Sequence, residues 1–365
     1  MKTVAVFFGG QSVEHEISII TGVMTANSID KNKYNALPIY VGNDGAWYTG
    51  NALLDLDGYK NLDYKKLLRV TFVIGDNAVY AVKKNKLKKI AQIAVAINCM
   101  HGERGEDGSL AGLLNMTGIP LASPPALPSA ISIDKAFTKT VLKPLKIKTL
   151  AGVTVTNTDD LEEILNTVKF PVIVKPNRLG SSIGVGRANG KNGLSSAVSY
   201  ALKFGEKALI EPCLENFTEI NCAAYQGADG EIKVSECERP VGRTEILSFG
   251  DKYESGKRVF PADIDKKYSD KIKNATRKIY REMGFKGVIR IDYFIADGEV
   301  YLNEINTVPG SLAYYLFSDT LKGFTLMISE LIEVAERDFA KESTAQKTFK
   351  SGILARAGSK GAKRL

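Results

Sequence analysis

The stretch VIRIDYFIADGEVYLNEIN, residues 288–306, sets charged side chains inside two runs of strand-forming apolar residues. Arg290 and Asp292 alternate along the first run, Glu304 and Asn306 along the second, so each pair projects to one face of its own strand. Loop parity decides whether the two pairs share a face. A two-residue Asp297–Gly298 turn sets Asp292 against Asn303 and sends Glu304 to the opposite side. A three-residue Asp297–Gly298–Glu299 loop, with the glycine left-handed, sets Asp292 opposite Glu304 and Arg290 opposite Asn306. In that register two carboxylates and an amide oxygen converge beside a guanidinium. Oxygen donors of this kind suit Mg²⁺, which completes its octahedron with phosphate oxygens and water. The bland alternative is a solvated sheet face with Arg–Asp pairing, and the flanking Val288, Ile289, Ile291, Leu302 and Ile305 weigh against it.

A second stretch, FPVIVKPNRLGSSIGVG (170–186), is an apolar strand that ends in Lys175 and runs into a glycine-serine loop. The lysine stem packs along the strand while its ammonium reaches the carboxyl edge, where α/β folds bind ligands. Backbone N–H groups of GSSIGVG can close over a phosphate, although the loop alone reads equally as a surface hairpin. Lys135 in SIDKAFTK, taken alone, is a solvated helix lysine. HGERGEDGSL (101–110) follows a buried strand and leads into a helix at Ser109, so it is either an anion-binding turn or a polar βα loop.

The N-terminal TVAVFFGG is a strand ending in two glycines, followed by a helix from Ser12 whose apolar face is Val13, Ile17, Ile20 and Met24. Strand, glycine turn and helix open an α/β domain. Further strands are expected at NALPIYV and IAVAINCM, with a hairpin insert in VTFVIGDNAVYAV. ASPPALPSA (122–130) marks a boundary. The predicted organisation is therefore an N-terminal α/β domain over 1–128, a central subdomain over 129–213 and a C-terminal subdomain over 214–345. A polar excursion over 239–263 is long enough to be a lid, and 346–365 is a basic tail.

The net charge of +8 raises nucleic acid as a partner, but much of it lies in KKNKLKK (83–89) and in the tail, with no aromatic-studded basic motif. An anionic small substrate explains basic residues equally well. The four cysteines show no C-x-x-C spacing and there are only two histidines, which weighs against a zinc site or a disulfide framework and fits a reducing cytoplasm. No apolar run approaches the ~20 residues of a membrane span.

Taken in order, FFGGQSVEHEIS, MHGERGEDGSLAGLLNMTGIP, IDKAFTK, VIVKPNRLGSSIGV, IEPCLE, DKY, RIDYF and LNEINTVPG resemble the D-alanine–D-alanine ligase family of the ATP-grasp superfamily. The resemblance covers nearly the whole chain and implies a three-domain α/β (α+β) ATP-grasp ligase. It implies ATP between the central and C-terminal subdomains, with Lys135, Lys175 and Ser182 at the phosphates, Glu211 and Leu214 at adenine and Glu219 at the ribose. It implies that Asp292, Glu304 and Asn306 hold two Mg²⁺ (or Mn²⁺) ions. It further implies Glu16 on the first substrate's ammonium, Ser181 and Tyr253 linking Glu16 to the lid, His101 near that substrate, and Arg290 on the tetrahedral oxyanion. Gly310, Ser311, Tyr315 and Lys252 are the candidates for substrate contacts. The expected reaction is ATP-dependent joining of two D-alanines through an acyl phosphate, for peptidoglycan precursor synthesis, by a cytoplasmic homodimer that binds neither nucleic acid nor membrane.

Three departures from the family pattern stand out. The excursion keeps Lys252 and Tyr253 but has Leu247 and Phe249 where the family carries tyrosines. The spacing from Glu211 to Glu219 is one residue longer than usual. After NTVPG the family has a Thr and a Ser for the second substrate's carboxylate, whereas this chain reads SLAYYLF. The competing readings are a D-alanine–D-serine or other D-amino-acid ligase, a catalytically silent nucleotide-binding protein, and a basic nucleic-acid binder.

Overall fold

The computed structural model describes residues 1–84, 86–159, 161–241 and 258–356. Three sheets organise them. The first comprises β1 (Lys2–Gly9), β2 (Tyr34–Val41), β3 (Trp47–Thr49), β4 (Leu68–Val73), β5 (Asp76–Lys83), β6 (Lys86–Gln92) and β7 (Val95–Asn98), in the order β6-β5-β4-β3-β2-β1-β7. β1 lies parallel to both β2 and β7, which fits its fully buried VAVFF core, and the other pairs are antiparallel. The lysine-rich 83–89 stretch forms most of the edge strand β6, where exposed lysines discourage edge-to-edge pairing.

Helix α1 (His15–Asn27) packs on β1 through Gly22, where a Cβ would overlap the Phe8 ring. The apolar face expected for this helix is only half the buried one: Ile17 is buried and Met24 half-buried against the core, but Val13 and Ile20 are 51% and 45% exposed. The helix buries Ile19, Val23 and Ala26 together with Ser18, Thr21 and Thr25, because it is covered by β1 on one side and by the turn Gly310–Leu316 on another. A helix covered on two sides by closely approaching backbone needs small and hydroxyl residues as much as an apolar stripe.

Helices α2 (Ser109–Thr117), α3 (Ala126–Ile133) and α4 (Lys135–Leu142) lead to the second sheet. Its strands are β8 (Val153–Val155), β9 (Val172–Pro176), β10 (Gly186–Ala188) and β11 (Ala208–Pro212), ordered β10-β9-β11-β8 and all antiparallel. Helices α5 (Leu161–Leu165) and α6 (Lys191–Ala201) close one face, with Leu161 and Ile164 of α5 and Leu194 and Val198 of α6 in one core with Val172 and Val174. The third sheet holds β12 (Thr218–Gln226) and β13 (Ile232–Val234). The small ribbon of β14 (Arg239–Pro240) and β15 (Arg258–Val259) follows, then β16 (Val288–Ala296) and β17 (Glu299–Asn306) complete the third sheet in the order β13-β12-β16-β17. Helix α7 (Lys266–Glu282) packs Ile272 and Ile279 against Ile220, Ile289 and Ile291 of that sheet. Helix α8 (Leu321–Ser343) joins the first sheet to the third, since Phe324, Ile328 and Leu331 share one core with Val4, Val6, Phe8, Ala223 and Val288.

The β16–β17 hairpin reaches the expected register by an unexpected route. Its turn is the two-residue Asp297–Gly298, both left-handed, with Ala296 opposite Glu299. A bulge at Asn303 then shifts the pairing by one, so Asp292 faces Glu304 and Arg290 faces Asn306. The extra residue does what the three-residue loop was expected to do.

Candidate active site

The second and third sheets enclose a cleft, and its polar end gathers three lysines and two carboxylates. Lys175, at the end of β9, places Nζ 2.6 Å from Glu211 Oε2 and donates to Asn303 Oδ1 at 3.1 Å. Lys139 Nζ pairs with the other Glu211 oxygen and donates to the Leu150 carbonyl at 2.8 Å. Lys135 Nζ donates to the Leu179 carbonyl at 2.7 Å and stands 3.6 Å from Glu304 Oε2. Burial would raise the Glu211 carboxyl, but Lys175 and Lys139 outweigh it and hold the group below the usual carboxylate range. Burial holds the Lys135 ammonium below its ordinary range, opposed by Glu304. Lysines balanced in this way can exchange a protein carboxylate for phosphate oxygens with little net change in buried charge.

The other end of the cleft is apolar. Leu150, Ile173, Val185, Pro212, Leu214 and Phe217 line it, and Phe217 meets Phe294 edge-on at 4.8 Å between centroids. Such a slot takes a flat aromatic ring. Ser182 and Glu219 also line this cleft. Ser181 and Ser182 are left-handed, with φ of 55° and 57°, which turns the glycine-serine loop over the opening.

A smaller polar pocket adjoins it, lined among others by Glu14, His101, Glu106, Ser181, Arg290 and Asn306. Here the expectation for Glu16 fails. Glu16 is exposed on α1, whereas Glu14 is 5% exposed and its Oε1 accepts a hydrogen bond from Ser181 Oγ. The helix begins at His15, so Glu14 sits on the entering turn and points into the pocket, while Glu16 lies one residue into the helix on its solvent side. Gly102 (φ 75°) lies against this turn, where a Cβ would crowd Ser12 Oγ and come 3.4 Å from Glu14 Oε2.

Burial, with Arg290 nearby, pushes the His101 imidazole down to about 3, so it is neutral in the physiological range. Its Nε2 lies 3.1 Å from Thr21 Oγ1, which accepts from the Ser311 backbone N–H at 3.1 Å. Burial and the neighbouring Glu14 push the Glu106 carboxyl up to about 8. Glu106 accepts from Gly102 N at 2.9 Å and from Val308 N at 3.3 Å, tying the 101–110 loop to the residues after β17.

Arg290 binds Asp292 through two parallel bonds, Nε to Oδ1 at 2.7 Å and Nη2 to Oδ2 at 2.9 Å. Burial opposes the charge on Arg290, but Asp292 outweighs it and raises the guanidinium above its ordinary value. Asn306 Nδ2 donates to Asp292 Oδ2 at 3.1 Å. Asp292, Glu304 and Asn306 thus present a hard oxygen set on adjacent strands. Among the described residues no group of three or more His, Cys, Asp or Glu surrounds a metal position, so a bound cation must take its remaining ligands from substrate and water. The donor set fits Mg²⁺ on those terms.

Ser311, Leu312 and Ala313 form a left-handed turn with φ near 50°, and Tyr315 follows with Arg258 stacked 4.8 Å from its ring centroid. Gly310 lines the smaller pocket. Lys252, Tyr253 and most of the expected lid, residues 242–257, lie outside the described residues. So do residues 357–365 of the basic tail.

The family model described as the D-ala D-ala ligase N-terminus matches residues 3–124, and that for the D-ala D-ala ligase C-terminus matches residues 142–334. The chain belongs to the D-alanine–D-alanine ligase family. It is 36% identical to the D-alanine–D-alanine ligase of Thermosipho melanesiensis over 351 residues, covering 93% of this chain and 95% of that one. Its fold matches the solved D-alanine-D-alanine ligase from Coxiella burnetii with a TM-score of 0.80 at 23% identity, over 94% of this chain and 96% of that one. It also matches the VanG D-Ala:D-Ser ligase from Enterococcus faecalis, with a TM-score of 0.78 at 27% identity, over 92% and 99% of the two chains.

Against the family pattern the structure brings Lys135, Lys175, Ser182, Glu211, Leu214, Glu219 and Glu304 to one cleft, and His101, Ser181, Arg290, Asn306 and Gly310 to the pocket beside it. Sequence reasoning missed Glu14, Thr21, Glu106, Lys139 and Asn303. Lys139 was findable, since it lies four residues after Lys135 on the same helix face. Asn303 was not, because nothing in a strand sequence marks a bulge.

Proposed function

We propose that this chain joins two molecules of D-alanine at the expense of ATP, giving ADP, phosphate and D-alanyl-D-alanine, a building block for peptidoglycan. The observation that carries this reading is the adjacency of the two cavities. Glu304 lines both, with the lysine cluster on one side of it and Glu14, Ser181 and Arg290 on the other.

The apolar slot takes adenine, and Lys135 and Lys175 hold the phosphates as point charges. Glu14 receives the ammonium of the first D-alanine, and Ser181 fixes the rotamer of that carboxylate. Neutral His101 packs beside the substrate without adding charge. The first carboxylate then attacks the γ-phosphorus in line, and ADP departs. Asp292, Glu304 and Asn306 would hold magnesium, taken as two ions, which would supply charge neutralisation for the transferring phosphoryl group. The acyl phosphate is a good electrophile where the free carboxylate was not. The second D-alanine's ammonium loses one proton to water, its amine attacks the carbonyl carbon, and the adduct's nitrogen gives up a second proton to the departing phosphate. Arg290 stabilises the tetrahedral oxyanion, and collapse expels phosphate.

Coupled measurement of ADP release with D-alanine and Mg²⁺, with the dipeptide identified by mass, tests this reading. No D-alanine-stimulated ADP release would sink it. A second reading, D-alanine joined to D-serine, is favoured by one observation: the turn's hydroxyls are those of Ser311, Tyr314 and Tyr315 in place of the family's usual Thr and Ser. Competition between the two amino acids for the same acyl phosphate separates the readings. We take the working form to be a cytoplasmic homodimer, which sedimentation and cell fractionation would check. None of the described helices is long and apolar enough to cross a membrane.

A further inference from the structure

Arg258 stands in the ribbon where the polar excursion returns, its backbone fixed by the pairings Arg239–Val259 and Pro240–Arg258. Its guanidinium lies over two aromatic rings, 4.8 Å from the centroid of Tyr315 and 5.2 Å from that of Phe260. Two polar contacts hold it among the described residues, to Glu238 Oε1 and to the Tyr315 carbonyl. Both are long, 3.3 Å, and both use Nη1. Glu238 is 5% exposed and is fixed from the other side by Asn221 Nδ2 at 3.2 Å. Asn221 pairs with Glu238 on one side and with Asp292 on the other, so the carboxylates that hold Arg258 and Arg290 stand two strand spacings apart, about 10 Å, within reach of one bound amino acid.

The second amino acid must put its amine at a carbonyl next to Arg290 and its carboxylate somewhere close by. That carboxylate requires a cation or hydrogen-bond donors. The turn that supplies Thr and Ser hydroxyls elsewhere in the family reads SLAYYLF in this chain. On the proposed reaction, we infer that Arg258 holds the carboxylate of the attacking amino acid, with Glu238 and the two rings as its mount. Stacking fixes the plane of the guanidinium and leaves the Nε and Nη2 edge as a fork for a carboxylate. The buried Glu238 carboxylate beside it disfavours a second substrate with an acidic side chain.

The test separates the two half-reactions. Hydroxylamine intercepts the acyl phosphate formed from the first D-alanine as a hydroxamate, and it carries no carboxylate. Arg258→Ala should raise the KM for the second D-alanine roughly tenfold to a hundredfold, the range for a lost charge-assisted bond, while hydroxamate forms at the wild-type rate. Arg258→Lys keeps the charge without the fork and should fall in between. It carries the test by the same two readouts if the alanine variant does not fold. An unchanged KM for the second D-alanine overturns the assignment, as does a hydroxamate rate that falls in parallel with it. A wild-type protein that forms no hydroxamate from D-alanine overturns the reaction itself, and this role with it.

Discussion

Ser181 Oγ donates a hydrogen bond to the Glu14 carboxylate across 167 residues of chain. The first residue comes from the loop over the nucleotide cleft and the second from the turn that opens the first helix. Closing that loop and shaping the pocket for an ammonium are therefore one event. The side chain that matters is Glu14, so the two glutamates of the VEHE stretch should behave oppositely. Glu14→Gln should lower kcat/KM for the first D-alanine about tenfold to a hundredfold, the effect of losing one charged hydrogen-bond partner. Glu16→Gln, on the solvent face, should stay within twofold of wild type. Steady-state rates of ADP release decide between them, and a severe loss in the Glu16 variant would return the role to that residue.

The proposed metal-binding set should divide by its partners. Glu304→Ala should abolish turnover and leave the melting temperature within a few degrees. Asp292→Asn should also abolish turnover, but Asp292 is 1% exposed and bonded twice to Arg290. Removing its charge leaves a buried guanidinium unpaired, at a cost of about 3 kcal/mol. Urea unfolding of the two variants would show the contrast, and equal stability would mean that the pair is better solvated than it looks.

Glu106 should write a signature on the pH dependence of stability. Its carboxyl titrates near 8 in the folded protein, against 4.5 as the ordinary value. Between those values the folded state keeps a proton that the unfolded chain has released, so stability falls as pH rises through that window. His101 acts in the opposite sense, but only between about 3 and its ordinary 6.5, where the unfolded chain takes up the proton. From pH 6.5 to 8 Glu106 therefore acts without opposition from His101, and its own share is read from the variant that lacks the carboxyl. In protein without nucleotide or metal, the urea midpoint should drop across that interval, and Glu106→Gln should flatten the drop. Parallel curves for the two proteins would refute it.

Asn303 steadies Lys175 from the opposite sheet, at 3.1 Å. Asn303→Ala should raise the KM for ATP about threefold to tenfold, the worth of one hydrogen bond to a charged group, with a smaller change for D-alanine. Nucleotide titration by calorimetry would show it as weaker binding. An unchanged affinity would mean that Glu211 alone suffices to place the lysine.

Much of this site was legible because strands advertise their faces. Arg290, Asp292, Glu304 and Asn306 stand out as polar positions in apolar runs, and Lys175 ends a run that can only be buried. Glu16 was assigned by resemblance, and the VEHE stretch does not itself say which of its two glutamates turns inward. That is decided by the helix beginning only at His15 and being covered on two sides, which leaves Glu14 on the entering turn. The bulge at Asn303 was invisible for a third reason. An extra residue in one strand changes neither composition nor propensity, and only the pairing reveals it. Loop parity alone would have put Glu304 on the wrong face for the two-residue turn that forms, and the bulge restores the register that a three-residue loop would have given.

The pocket wall joins Glu14 near the start of the chain, Glu106 in the loop after β7, Ser181 in the middle, and Val308 just past β17. A polypeptide emerging from the ribosome therefore carries no working pocket until its last strand has been made and has docked. Any truncated product ending before that point can hold at most part of the nucleotide cleft. It lacks Asn306, one of the three proposed metal ligands, and so cannot waste ATP on an intermediate that it would be unable to use.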